Sequence, residues 1–477
     1  MKLSKNLISF SLLILMLGLT LQAEEMKKKD SGRSVEGKSY ISEKYIPYLY
    51  EKIEDDPGRN HPLSFLSLGD RFLGNGNLAP GFVLPTGAVW QPRLWFFGNS
   101  RTSIGTYDLG DNRDQVSEWA TRLDLFANLQ LTGTERIVLG VEPFHRDTDF
   151  LGERFRPEGS GDFRNPTNLR VRTLFFEGDL AEVFPDFDPL DKKGLDIGFS
   201  IGRQDVVFQD GLLINDTIDG IGLTKNSLRF DGVDWLTNLR ISTFWGFNEI
   251  NRDDNQDDNT AKLYGLFTAA DTIWSTFEAD FVYVDSHDDE TGDLLAWGFS
   301  STKRLFEHYN WTFRYVGSKA MTRQTRQSDD GHLLFTEFSW TPYGTHDVMY
   351  VNGFLGIDNY TSPARDTLAG GPLGRTGILF AARGVGSYPS PLSNRAQEAF
   401  GAAVGYQKFF DNNSQHVVLE VGFRRDTTND SPDFVGIGAQ WQKSFNDNYI
   451  IQIDSFLRGE EDGGVGYGIR TEFQIKF

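Results

Sequence analysis

The last thirteen residues constrain this chain more than any other segment. Val465, Tyr467, Ile469, Thr471, Phe473, Ile475 and Phe477 fall on one face of an extended strand, and Gly466, Gly468, Arg470, Glu472, Gln474 and Lys476 on the other. An apolar face opposite a polar one suits a strand between hydrocarbon and a wet lumen. A strand of a soluble sandwich alternates as well, so the number of such segments and their spacing must decide.

Counting back from Phe477, period-2 segments read as strands near 465–477, 449–458, 433–444, 415–426, 399–410, 346–355, 332–341, 309–318, 294–303, 275–285, 261–270, 238–248, 219–235, 195–208, 168–179, 135–146, 117–131 and 88–107. The fold class expected is all-β: a transmembrane antiparallel β-barrel of about eighteen strands, with sixteen as the alternative and both termini periplasmic. Segments 219–235 and 88–107 are the long, irregular ones. Short connections at Gly133-Thr134, Pro342-Tyr343-Gly344, Asp411-Asn412-Asn413 and Asn446-Asp447-Asn448 alternate with long ones at 144–167, 249–260, 286–293, 319–331 and 356–398. The segment 180–194 breaks the pattern on the short side. Closure follows from backbone chemistry, because an open edge in hydrocarbon leaves N–H and C=O groups unpaired. Trp90, Trp119, Trp245, Trp297, Trp311 and Trp441 lie in or near strands, and the aromatic residues are expected to supply the two interface girdles.

The first 25 residues carry an export pattern. Lys2 and Lys5 precede Leu7 to Leu21, apolar apart from Ser9, Ser11, Gly18 and Thr20. Ala23 then offers a small residue at the cut, ahead of Glu24 and Glu25. Residues 1–23 read as a signal peptide cleaved near Ala23, with an N-terminal membrane anchor as the alternative. Residues 24–87, with Lys27-Lys28-Lys29 and Pro47, Pro57 and Pro62, fit no barrel strand and read as a periplasmic leader. The barrel is assigned to 88–477. Past residue 25 no apolar run is long enough to span as a helix.

Composition removes other classes. There is no Cys, which excludes disulfides, thiolate metal sites, a thiol nucleophile and a lipoprotein anchor. The 47 Lys and Arg face 67 Asp and Glu, and a net charge of −20 argues against broad nucleic-acid binding. Loss of Lys2 and Lys5 takes the mature chain to −22. The seven His residues form no H-E-x-x-H motif, no G-x-S-x-G is present, and no enzyme or cofactor is expected.

Strand parity assigns the interior. The inward basic residues expected are Arg93, Arg101, Arg122, Arg170, Arg172, Arg203, Arg240, Arg314, Arg424, Arg470 and Lys476, against Asp124, Asp205, Glu278, Asp280, Glu420, Asp454 and Glu472. Placing Arg203 and Asp205 inside requires a bulge near Gly202, because Ile201 shares their parity. Two readings stand: an arginine-lined path for anions, or arginines paired with neighbouring carboxylates that stiffen the wall. Loop 356–398 holds seven Gly, four Pro, Arg365, Arg375, Arg383, Arg395 and the apolar run Ile378-Leu379-Phe380-Ala381-Ala382. It is expected to fold into the bore as a constriction or plug, with a rim hairpin as the alternative. Acidic clusters at Asp253, Asp254, Asp257, Asp258 and at Asp288, Asp289, Glu290 read as solvated loops. The weaker alternative is a loop-bound divalent cation bridging lipopolysaccharide phosphates.

Leu169 to Leu180 (LRVRTLFFEGDL) and Gly198 to Asp210 (GFSIGRQDVVFQD), with Gly202-Arg203-Gln204 in the second, resemble a strand pair of the alginate-export family of outer-membrane barrels. Gln91-Pro92-Arg93-Leu94 is similar too, and the ending on Phe477 resembles the C-terminal signal of such barrels. The recognisable part covers roughly 88–250. The resemblance implies passage of an anionic polysaccharide through a basic constriction and carries over by position to Arg170, Arg172 and Arg203. The function expected is an outer-membrane channel for anionic or carbohydrate-like solutes in a Gram-negative cell. The alternative is a plugged structural or interaction barrel with acidic surface loops. Partners expected are outer-membrane lipid and lipopolysaccharide, the barrel-assembly machinery through Phe477, and a small anionic or saccharide solute. The exported chain should begin at Glu24, which intact-mass measurement checks; a mass that retains residues 1–23 would support the anchor instead.

Overall fold

The computed structural model describes residues 64–70, 80–110, 115–155, 161–187, 189, 194–253, 256–287, 291–428, 431–461 and 463–477. The signal peptide, Ala23, most of the leader, and Asp254, Asp288, Asp289 and Glu290 lie outside the described residues.

Eighteen strands form the barrel wall: β1 (Arg93–Asp108), β2 (Val116–Gln130), β3 (Arg136–Val141), β4 (Val171–Asp179), β5 (Ile197–Phe208), β6 (Ile214–Leu228), β7 (Leu236–Asn248), β8 (Lys262–Thr272), β9 (Thr276–Asp285), β10 (Leu294–Leu305), β11 (Tyr309–Ala320), β12 (Gly331–Trp340), β13 (Val348–Asp358), β14 (Ala399–Phe410), β15 (Gln415–Asp426), β16 (Phe434–Ser444), β17 (Tyr449–Glu460) and β18 (Val465–Lys476). Each pairs antiparallel with the next. β18 returns to β1, from Tyr467 opposite Asp108 to Lys476 opposite Asn99, and closes the sheet. The Phe477 N–H and C=O complete the seam on Gly98, at 3.0 and 2.7 Å. The eighteen-strand count from periodicity is the count in the structure.

Local differences have physical causes. The strand expected at 219–235 runs instead from Ile214 to Leu228. Asn215, Asp216 and Thr217 look like loop in sequence, but the Asp216 carboxylate accepts from the Asn251 N–H and side chain, both at 2.8 Å, and so stays in the sheet. Residues 229–235 form the turn. The connection expected at 144–167 is not a free loop. Its Asp149–Phe155 strand pairs with Ser117 to Thr121 of β2, taking the edge that the short β3 leaves open. Connection 180–196 contains the one-turn helix Leu180–Val183, with Asp179 accepting from the Ala181 N–H as its N-cap. Part of the leader enters the sheet: Leu66–Leu68 pairs with Leu94 to Phe96 of β1, and Phe65 meets Phe477 edge-on at 6.2 Å.

The two faces separate cleanly. Ile104, Leu223, Trp245, Phe281, Val404, Leu419, Val421, Phe423 and Phe473 stand exposed on the outer face. Aromatic pairs gather near the short-turn rim, among them Trp235 with Trp274 (6.1 Å), Tyr309 with Phe338 (5.4 Å) and Tyr449 with Phe473 (6.0 Å). That is the composition of a lipid-facing belt and its interface girdle.

Connection 359–398 turns inward. Tyr360, Ala364, Leu373, Leu379, Phe380, Leu392 and Ala396 are buried, in one cluster with inward-facing Leu263, Val282, Val316, Leu333 and Phe354. Ala364 and Arg365 pair parallel with Ile214 and Asn215 of β6. The path passes so close to the wall that a Cβ on Gly356 would lie 1.5 Å from the Ala396 carbonyl oxygen. Gly356→Ala should therefore displace the loop base at a cost on the order of 2 kcal/mol. A lower urea midpoint and faster proteolysis within 359–398 are the expected readings; an unchanged protein would show that the base yields freely.

Candidate functional site

The candidate site is the bore where connection 359–398 crosses it. Non-helical backbone inside a barrel must satisfy its own polar groups, and inward side chains from several wall strands do this. Glu420 on β15, fully buried, accepts from the N–H groups of Leu379 (2.9 Å) and Ile378 (3.1 Å) and from the Tyr350 hydroxyl. Gly377 sits at φ +52, and a Cβ there would meet the Glu420 carboxylate at 2.3 Å, so only glycine fits that approach. On β2, Glu118 accepts from the Ser387 N–H and from its hydroxyl at 2.8 Å. Arg365, 1% exposed, donates from Nη2 to the carbonyls of Gly211 (2.6 Å) and Leu212 (3.0 Å). Arg458 donates to the Leu109 carbonyl at 2.9 Å and the Pro391 carbonyl at 3.3 Å, over the Phe434 ring. Arg424 donates to the Arg395 carbonyl.

Arginines and carboxylates alternate along the wall beneath this loop. Arg101 meets Glu472 at 2.5 Å, Glu472 also takes Arg470, and Arg470 reaches Asp454 at 3.1 Å. Arg383 of the inward loop joins Asp454 at 3.3 Å. A second group links Arg122 to Asp124 (2.8 Å) and Glu142 (2.7 Å), and Arg172 to Asp366 (2.6 Å) and Glu142 (3.8 Å). Burial pushes the Glu142 carboxyl up, but a hydrogen bond with His145 Nδ1 at 3.0 Å and the two guanidinium groups outweigh it and hold it down at about 2. Arg314 pairs with Glu337 at 2.9 Å and lies 3.8 Å from Asp210.

The remaining expected residues fall in three places. Arg240 faces the interior with Phe244 and is exposed there, with no carboxylate in ion-pair contact among the described residues, although its charge acts on Asp280. Arg93 opens β1 with its guanidinium 5.8 Å from the Trp95 ring centre. Arg375 lies 3.7 Å from Asp210 and is half exposed, and Arg395 lines the cavity at the long-loop mouth. Arg203 requires a correction. Its register runs unbroken past Gly202, opposite Leu174 and Asp219, on the face that carries Ile201, Ile221 and Leu223. No bulge turns it or Asp205 inward, although Gly202 has φ +124. Arg203 pairs outside with Asp219 (2.7 Å) and Glu249 (2.9 Å), and Arg170 joins Glu249 and Asp147 (3.3 Å) at the rim. Of the three positions carried by the family resemblance, only Arg172 reaches the bore. There the register with β3 shifts between Val171 and Thr173.

Two features escaped sequence reading. Residues 209–213 dip into the bore. Gln209 donates to Asp280 at 2.7 Å, and Leu213 is fully buried. The signal was the apolar run Leu212-Leu213-Ile214 directly after a strand end. Arg252, fully buried, binds the carbonyls of Gly292 (2.9 Å) and Gln327 (3.4 Å) and lies 3.5 Å from Asp258. Asp258 in turn accepts from Ser286 (2.7 Å) and Thr291 (2.6 Å), so this acid joins its own loop to the 286–293 loop rather than facing solvent, and Arg252 adds the 319–331 loop. Among the described residues no three His, Asp or Glu side chains gather as a metal site.

Because the Glu142 carboxyl is held down, the stability it contributes is fully present above its ordinary value and is lost as pH falls from about 4.5 toward about 2. Glu142→Gln should cost on the order of 2 kcal/mol at neutral pH and flatten the acid dependence in that window. Urea midpoints of both proteins from pH 7 to pH 2 check this, and equal acid sensitivity would refute it.

No protein-family model matches the chain, and no curated protein matches it. Among solved structures it is similar to OccAB4 of Acinetobacter baumannii, with TM-score 0.52 at 10% identity over 83% of this chain and 100% of that one. It is similar also to OccK2 (OpdF) of Pseudomonas aeruginosa, with TM-score 0.52 at 11% identity over 84% and 99%. At these identities the likeness is one of fold: a closed, porin-type barrel of eighteen antiparallel strands.

Proposed function

We propose that the chain is an outer-membrane channel for small anionic or carbohydrate-like solutes, narrowed by its 359–398 loop. The observation that carries this reading is the inward loop itself, held by Glu420 of β15 and Glu118 of β2 within a barrel whose bore is polar and whose outer face is apolar. An eighteen-strand barrel is too wide for wall side chains alone to fill; a loop across it sets the bore and with it the solute size. The signal pattern ending at Ala23 and the terminal Phe477 support export and assembly into the outer membrane, with lipopolysaccharide around the long-loop rim.

Anion preference in this reading is modest. Arg101, Arg122, Arg172, Arg314, Arg383 and Arg470 are each engaged by carboxylates, so the bore offers few uncompensated cations. Passage of a polyuronate such as alginate needs a continuous run of such cations, and the pairing favours smaller solutes. The second reading, a plugged structural barrel, draws on the number of hydrogen bonds that hold the loop.

Single-channel recording of the refolded chain in a planar bilayer, with reversal potential in a KCl gradient, tests the proposal. Small, stable steps with weak anion preference are expected, and deletion of 366–394 should enlarge them severalfold. Absence of steps before deletion and their appearance after it would favour the plugged barrel. Strong cation preference would overturn the assignment of the bore.

A further inference from the structure

We propose that the wall on the short-turn side of the inward loop carries a binding site for a neutral, polyhydroxylated solute of mono- or disaccharide size. The site refines the solute class of the channel reading and rests on that reading only for its access through the bore. A cavity of about 370 Å³ lies under Gly377 and Ile378 of the inward loop, within the size range of small-molecule pockets. Its wall is a half-cup of adjacent strands β11 to β16, which present Asn310, Glu337, Ser339, Asn352, Gln407 and Gln440 inward in register. Glu337 is the acid in this set, and Arg314 holds it at 2.9 Å.

Two observations point to a ligand. First, the hydrogen-bonding groups are largely uncommitted. Asn310, Ser339, Asn352 and Gln407 have no side-chain partner among the described residues, and Asn352 is only 4% exposed. Uncommitted polar groups of this kind in native proteins are completed by water or a bound molecule. Second, the chemistry of the wall changes here. The arginine–carboxylate chains run along β1, β2, β17 and β18, whereas this side offers amides and a hydroxyl. Amides donate and accept within one side chain, which matches a ring of hydroxyl groups. They select no charge, and an anion would face Glu337 in the cavity wall. Tyr350, on the same wall, adds an aromatic face, its hydroxyl engaged by Glu420.

The test is saturation-transfer NMR on the full-length mature protein in detergent, with glucose, maltose and glucuronate as probes. Saturable binding of maltose or glucose, weaker for glucuronate, is expected. Asn352→Leu should weaken it by about tenfold or more, the scale of one lost buried hydrogen bond. Asn310→Ala, at an exposed position, should weaken it severalfold and keeps the test open if Asn352→Leu does not fold, which heat-modifiable migration on a gel reports. Tighter glucuronate binding, no saturable binding of either neutral sugar, or unchanged affinity in both variants would overturn the site. Recording conductance on the same sample separates this failure from that of the channel. Conductance without sugar binding removes the site and keeps the channel; sugar binding without conductance keeps the site and removes the channel.

Discussion

The whole arrangement depends on one ladder of backbone hydrogen bonds, the seam where β18 meets β1. Without it two edges of unpaired N–H and C=O groups would face hydrocarbon, at several kcal/mol for each group. With it, every wall residue has only two options, outward to lipid or inward to the bore. The terminal Phe477 and the Leu66–Leu68 strand both sit on β1 at this seam, where they extend the pairing beyond Lys476.

Closing the sheet creates a second demand inside. A loop of forty-odd residues folded into the bore brings its own peptide groups away from bulk water. The wall answers with buried charged side chains aimed at loop backbone: Glu420 and Glu118 at N–H groups, Arg458 and Arg424 at carbonyls. Such groups would be costly alone. Arg101, Arg470, Glu472, Asp454 and Arg383 continue the same principle as a chain of pairs, in which no charge stands without a partner. The overall acidity of the chain therefore says little about the bore, where the charges are locally compensated.

Strands were legible wherever one face meets lipid, because lipid enforces strict alternation. β15 shows it plainly: Leu419, Val421 and Phe423 outside, Glu420, Gly422 and Arg424 inside. Legibility failed where the chain leaves that environment. Near the long-loop rim an outward arginine is tolerated in a pair, so Arg203 with Asp219 looked like an interior residue displaced by a bulge. In β6, inward Asp216 is stabilised by Asn251 from another connection, a partner that strand periodicity does not reveal. The apolar run Ile378 to Ala382 did signal an inward fold, since it is too apolar to stay solvated. The wall residues that anchor it carried no signal of that role.

Amino-acid order alone determined the class of this protein, the number of its strands and the face of most wall residues. These are consequences of local periodicity against a uniform hydrocarbon solvent. Only the tertiary structure decided which arginines are free, which acids hold the loop and where uncommitted amides gather. Those outcomes depend on distances between side chains hundreds of residues apart, such as Glu118 with Ser387 or Arg101 with Glu472, which no local pattern encodes.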